Sequence, residues 1–241
     1  MYLGRSLSIT DSTETELHHR LQKGWRTFFA HKHQLCNKSF PISRRLKLFN
    51  STVSAVVLYG CGAWTMKRDH LRRLQTEQRK MLRMMVDMGR RFVRQGGEGE
   101  SNSDNSNTES EPTDDMEECL EDELVLEDWV DWIRRSTAFA EQQLEKAHIT
   151  DWVTEQRKRY WQFAGRMARH SDGRWSNAVL TWKPQGWRHA GSPCKRWSDD
   201  KVKYHTHDFG GSRNDWIISA QDLQTWEELE NRFVEVSLPT T

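Results

Sequence analysis

Cysteine is scarce in this chain of 241 residues: there are four, at positions 36, 61, 119 and 194, and no two form a C-x-x-C pair. That scatter argues against a disulfide framework or a zinc ribbon and favours a reducing compartment. Long apolar runs are missing as well. No stretch approaches the roughly 20 residues that a membrane helix requires. The N-terminal MYLGRSLSIT has neither the charged start nor the apolar segment of a signal peptide. The expectation is a soluble, intracellular protein without a membrane partner, nucleus or cytoplasm being left open. Phosphate-cradling and nucleophile-elbow signatures are also absent: there is no P-loop, no G-x-G-x-x-G and no G-x-S-x-G.

Charge of one sign is missing where it matters most. From Gln95 to Asp131 there are 15 acids and no Lys or Arg, whereas from His18 to Arg94 there are 18 Lys and Arg against 3 acids. From Ile133 to Trp216 the balance is again basic, 16 against 9, so the net charge of +1 conceals a segregation. Two cationic regions around an acidic block imply a polyanionic partner and an internal competitor for it.

Apolar periodicity predicts helices. Thr13-x-x-Glu16 has the form of a capping box, and Leu17, Leu21, Trp25, Phe28, Phe29 and Leu35 follow at helical spacing. A second stripe, Leu46, Phe49, Val53, Val56 and Val57, runs to the glycines at 60 and 62. Asp69 is placed to cap a third helix carrying Leu71, Leu74, Met81, Leu82, Met85 and Met88. Residues 95–118 have almost no apolar side chain with which to offset ordering entropy and read as disordered. Beyond them, Trp129, Trp132, Ile133, Ala140 and Leu144 predict a helix, and Thr150 or Asp151 can cap the next, to about Arg169. The Gly/Pro/Trp-rich stretch from Gly173 reads as loop, and Trp216, Ala220, Leu223, Trp226 and Phe233 mark a last helical segment. The predicted fold class is mainly α, with two small helical modules joined by a disordered acidic linker.

Several segments in succession resemble the reverse transcriptases of LINE-type (non-LTR) retrotransposons. YLG at residues 2–4, then ELHHRLQKGWRTF, is similar to the segment after the palm. SRRLKLFNSTVSAVVLYGCGAW is similar to the thumb with its L-Y-G-x-x-x-W element, and RDHLRRLQTEQRKMLRMMVDM to the basic helix that follows. RKRYWQFAGRMARHSDGRW resembles R-R-x-x-W-x-G-H-x-x-R-M, AGSPCKRWSDD resembles G-R-P-x-x-R-W-x-D-D, and WIISAQDLQTWEEL resembles W-x-x-x-A-Q-D-x-x-x-W. Two departures stand out: Gly165-Arg166 replaces G-H, and Gly191-Ser192-Pro193 replaces G-R-P. The resemblance implies a palm remnant at 1–12, a basic thumb-like bundle at 13–94, an acidic linker at 95–123 and a Trp-rich C-terminal helical module at 124–241. It also implies that LYGCGAW is a turn between thumb helices in which Tyr59 and Trp64 pack.

The parent family's Mg²⁺ would sit at a palm site that the resemblance places before this chain, so no cofactor and no catalytic or metal-binding residue is expected here. The acid pairs Asp114-Asp115 and Asp199-Asp200 are poor substitutes for that site, the second being better read as a helix start. His31, His33 and Cys36, and likewise His205 and His207, fall short of four zinc ligands. What the sequence does offer is phosphate neutralisation. Lys23, Arg26, Lys32, Arg44, Arg45, Lys47, Arg72, Arg73, Arg79, Lys80 and Arg83 lie largely off the apolar stripes. Arg174, Lys183 and Arg188 are interleaved with Trp175, Trp182 and Trp187, which can either stack on unpaired bases or close a core.

The expected partner is RNA, DNA or an RNA–DNA primer–template duplex, with an intramolecular contact to the acidic linker as competitor and the oligomeric state open. As an enzyme, the family is an RNA-directed DNA polymerase, and this chain alone is expected to be inactive. The alternatives are a non-enzymatic helical protein-interaction module and a decayed element fragment without selected function.

Overall fold

The computed structural model describes residues 12–94, 124–170, 194–208 and 215–237, together with positions 175, 178, 180 and 191. The fold is helical. Helix α1 (Ser12–Ala30) leads through a single turn, α2 (Lys32–Leu35), into α3 (Ile42–Phe49). Helix α3 continues through a π-helical turn (Asn50–Ser54) into the short α4 (Ala55–Val57). The Ser51 and Thr52 hydroxyls both donate to the Leu48 carbonyl, at 3.1 and 2.7 Å, competing with the backbone for the acceptor that a regular helix would use there. Leu46, Phe49, Val53 and Val57 remain buried on one side despite the bulge. Helix α4 approaches α1 so closely that a Cβ on Gly24 would lie 2.4 Å from Val57 Cγ2.

Helix α5 (Arg68–Val86) buries Leu71, Leu74, Met81, Leu82 and Met85, as its spacing predicts, but ends before Met88, since Asp87 turns into the left-handed region as its C-cap. Its start differs from expectation. Lys67, not Asp69, is the N-cap residue, and its N–H donates to His70 Nδ1 at 3.3 Å while His70 Nε2 meets the Glu14 carboxylate of α1 at 3.1 Å. The expected capping box at Thr13 and Glu16 is likewise spent on other contacts. The Thr13 hydroxyl accepts the Thr65 N–H, and the buried Glu16 pairs with Arg20 at 2.7 Å.

After α5 the chain forms strand β1 (Phe92–Arg94), which pairs antiparallel with β2 (Leu124–Leu126), Arg94 lying opposite Leu124. The acidic segment therefore leaves and re-enters the fold through neighbouring strands. Its own residues, 95–123, lie outside those described. The re-entry is clamped by the buried Glu127, which accepts both arms of the Arg135 guanidinium at 2.7 and 2.6 Å and the Arg91 N–H at 3.3 Å. The Arg135 hydrogen bonds hold the Glu127 carboxyl down at about 2. Arg90 donates to the Glu127 carbonyl, and Trp132 Nε1 donates to the Met88 carbonyl at 2.7 Å.

Helix α6 (Trp129–Lys146) is capped by Asp128 and α7 (Trp152–Arg169) by Asp151, whose carboxylates accept first-turn N–H groups. Trp175, Ala178 and Leu180 are helical, where the sequence reads as loop, and helices α8 (Asp199–Asp208), α9 (Asp215–Ser219) and α10 (Leu223–Ser237) follow. Two hydrophobic cores result. The first joins α1 to α5 and also takes in Ala140 and Leu144 of α6 and Trp152 and Val153 of α7. The second runs from Tyr160 to Val234. The boundary between cores therefore falls inside α7, while the acidic segment marks a boundary of charge. Trp152 fixes the junction: it stacks on Phe49 with ring centroids 5.7 Å apart, and its Nε1 donates to Ser54 Oγ at 2.7 Å.

Candidate nucleic-acid interface

The sequence between Glu16 and Asp69 contains no carboxylate side chain, and the fold lays its cations out on three consecutive elements. Lys23 is half-buried and Arg26 exposed on α1, Lys32 is exposed on α2, and Arg44 and Lys47 are exposed one turn apart on α3. Helix α2 packs on both α1 and α3. Among the described residues no carboxylate pairs with any of these five cations. They can bind phosphates without giving up an existing partner.

Arg45 does not belong with them. Its side chain is buried, donating from Nη1 to the Leu35 and Met85 carbonyls at 3.2 and 2.6 Å and from Nε to the Phe40 carbonyl at 3.1 Å. A guanidinium so placed ties together the ends of α2 and α5, where helical carbonyls lack backbone donors and a cation suits the dipole. Its interior position was hidden in the sequence because Arg44 and Arg45 are identical neighbours. Only helix phase against α5 decides which one turns inward.

The cations of α5 are in a third condition. Arg72 is exposed with Asp69 at 4.0 Å, and Arg73 meets Glu14 and His18. Lys80 meets Glu77 at 2.8 Å, and Arg79 meets Glu141 of α6 at 2.7 Å. Arg83 donates to Thr137 Oγ1 at 2.9 Å, with burial and the nearby Arg79 lowering its pKa. These pairs are partly exposed, where an ion pair contributes only about 0–1 kcal/mol, so a phosphate can compete for them. Arg174, Lys183, Arg188, Trp182 and Trp187 lie outside the described residues, while Trp175 is exposed.

Two aromatic expectations change. Phe29, assigned to the core stripe, is exposed and stacks on Trp25, while Phe28 is fully buried. Trp64 packs as expected, but Tyr59 is 54% exposed. The LYGCGAW segment is indeed a turn, with Gly60 in the left-handed region at φ 68° followed by a 3₁₀ turn, Cys61–Ala63. Gly62 is required by contact: a Cβ there would lie 2.9 Å from Phe163 Cβ and 3.0 Å from the Arg159 carbonyl oxygen. Burial raises the Cys61 thiol to about 12, which removes it as a nucleophile.

The motifs of the C-terminal half converge on one place. Trp161 and Trp226 stack with ring centroids 3.7 Å apart and exchange hydrogen bonds, each Nε1 donating to the other's backbone carbonyl at 2.9 and 3.2 Å. Gly165 faces Trp226, Arg169 donates to the Ala220 carbonyl, and Gln221 donates to the Ala168 carbonyl. Asp200 accepts from Arg157 at 2.8 Å and from Lys195 at 2.6 Å, while Asp199 accepts the Arg196 N–H. Both carboxylates of the W-x-D-D pair are thus committed to structure, as the helix-start reading expects. Lys201 is fully buried among the rings of Tyr160, Trp197 and Trp216, its Nζ 3.8, 3.5 and 5.2 Å from their centroids. Burial lowers its pKa well below the lysine range. So enclosed, the amine cannot meet a substrate.

Among the described residues no group of three or more His, Cys, Asp and Glu could hold a metal ion, and no helix is long and apolar enough to cross a membrane. No protein-family profile and no solved structure matches the chain. It is similar to an uncharacterized transposon-derived protein of Caenorhabditis elegans, F52C9.6, being 24% identical over 232 residues, which cover 94% of this chain and 67% of the relative. That similarity supports a transposon-related origin for this chain.

Proposed function

We propose that the chain derives from a non-LTR retrotransposon reverse transcriptase and grips a primer–template duplex through its phosphates, without itself carrying the polymerase chemistry. The observation that carries this reading is the cationic run of Arg26, Lys32, Arg44 and Lys47 over α1, α2 and α3, none of which pairs with a carboxylate among the described residues. Binding through phosphates is tolerant of sequence and steeply weakened by salt, because each neutralised phosphate releases counterions.

The test is binding of the full chain to an RNA–DNA duplex across a salt series. Changing Arg26, Lys32, Arg44 and Lys47 together to Gln is expected to reduce the log–log salt slope by about 4, one for each lost phosphate contact. Changing Arg73, Arg79 and Lys80 should have a smaller effect, since their carboxylate partners already hold them. No binding at low salt, or an unchanged slope in the fourfold variant, overturns the reading.

The acidic segment supplies the regulatory part of the proposal. Because Arg94 and Leu124 are paired in the sheet, residues 95–123 can be replaced by a two-residue Asn-Gly hairpin turn without pulling the strands apart. Removing their twelve acids is expected to tighten duplex binding at low salt, with the difference shrinking as salt screens it. Equal affinity at low salt would exclude the segment as a competitor.

A protein-interaction module is the second reading. It is favoured by the exposed Trp129, which packs on Trp132 beside the exposed Val130.

A further inference from the structure

A cavity of about 470 Å³ lies where the 58–63 turn meets α7, lined by Tyr59, Gly60, Gly62, Arg159, Phe163 and Arg166 among others. Its volume is within the range of small-ligand sites, and its lining combines aromatic faces with guanidinium groups. Tyr59 is built as a platform. The Arg20 guanidinium sits 4.4 Å from its ring centroid, and Arg20 is itself buried and locked to Glu16. One ring face is therefore backed by a fixed cation, and the 54% exposure of the residue lies on its remaining surface.

The other side of the cavity comes from α7. Phe163 is half-buried against Gly62, and Arg159 is anchored by Glu155 at 2.6 Å and by the Leu58 carbonyl. Arg166, one turn on from Phe163, is exposed and has no partner among the described residues. The turn itself is held in shape. Trp197 Nε1 donates to the Gly62 carbonyl at 3.0 Å and Gln156 to the Cys61 carbonyl at 3.3 Å.

We propose that this cavity binds one unpaired nucleotide of a nucleic-acid strand, its base stacked on Tyr59 and its phosphate held by Arg166 and Arg159. A base inside a duplex has both faces covered by its neighbours, so only an unpaired base can offer a face to the ring. A bare anion would have no use for Tyr59 and Phe163, and an apolar ligand none for two guanidiniums. The proposal rests on the nucleic-acid reading, and it adds single-stranded specificity at a place separate from the α1–α3 cations.

The experiment uses the full chain and two probes: a 12-nucleotide single strand with a central 2-aminopurine, and a blunt RNA–DNA duplex. The strand is expected to bind with a change in aminopurine fluorescence. Tyr59→Leu is expected to weaken strand binding by about tenfold or more through lost stacking, while Tyr59→Phe preserves it and duplex affinity stays unchanged in both. Arg166→Gln should reduce the salt slope for the strand by about one. No binding of the strand, or strand affinity indifferent to Tyr59→Leu, overturns the proposal. Strand binding without duplex binding would sustain this site and sink the duplex grip, whereas duplex binding with Tyr59-independent strand binding would do the reverse.

Discussion

Trp161→Ala is expected to lower the unfolding free energy by about 4 kcal/mol, in the range found when a buried Trp or Phe is cut to Ala. The physical reason is threefold. Trp161 is fully buried, it stacks on Trp226 at 3.7 Å, and its indole takes with it the Nε1 hydrogen bond to the Trp226 carbonyl, leaving that buried acceptor without its donor. Phe233, 4.5 Å from the Trp161 ring, would border the hole. Gly165→Ala tests the same contact from the opposite direction. Its Cβ would fall 2.3 Å from Trp226 Nε1, and a ring pinned by Trp161 cannot swing away. Overpacking of that kind costs about 1–3 kcal/mol. Urea unfolding followed by near-ultraviolet circular dichroism would measure both, and a loss below about 1 kcal/mol for Trp161→Ala would show that the stacked pair is not the centre of the second core.

The second large effect concerns Asp200. Asp200→Asn is expected to destabilise the protein by about 3 kcal/mol at neutral pH, because it strands a buried Arg157 whose counterion it removes. Arg157 is 3% exposed, and its guanidinium also lies 4.8 Å from the Phe233 ring, so water cannot take the carboxylate's place. The pH dependence has a definite sign. Burial by itself raises the Asp200 carboxyl, but the Arg157 and Lys195 cations together outweigh it and hold the pKa below the ordinary 3.8. A carboxylate depressed in the folded state contributes stability that is present above its unfolded value and is lost as pH falls through its folded value. The gap between the wild-type and Asp200→Asn proteins should therefore be constant from pH 7 to about pH 5 and close on further acidification. A gap that persisted undiminished at pH 2 would mean that charge is not what Asp200 contributes. A double-mutant cycle with Arg157→Met should return a coupling energy of the same sign.

Both effects fall on residues that the sequence marks only as motif. Trp161, Gly165, Asp200, Ala220, Gln221 and Trp226 stand in separated segments, and the fold brings them into one packed knot. The C-terminal motifs are thus the signature of a core. The proposed duplex grip rests instead on the basic character of the first half.

Periodicity and charge were enough to read the helical class, the buried stripes of α3 to α5, the α7 cap and the location of the acidic block, because these depend on neighbours three or four residues away. Arg45 and Tyr59 were misplaced for the same physical reason. Whether a residue at the margin of a stripe faces in or out depends on what packs across from it. Arg45 is taken inward by the carbonyl ends of α2 and α5, while Tyr59 is left outside over Arg20. The sharing of α7 between two cores was equally invisible, since it depends on Trp152 reaching Phe49 and Ser54 about a hundred residues back. By itself the sequence determined that the chain is mainly helical and where the cations are concentrated. Only the tertiary structure decided which of those cations are claimed by carboxylates and carbonyls distant in the chain and which have no such partner among the described residues, because those groups meet only when the helices pack.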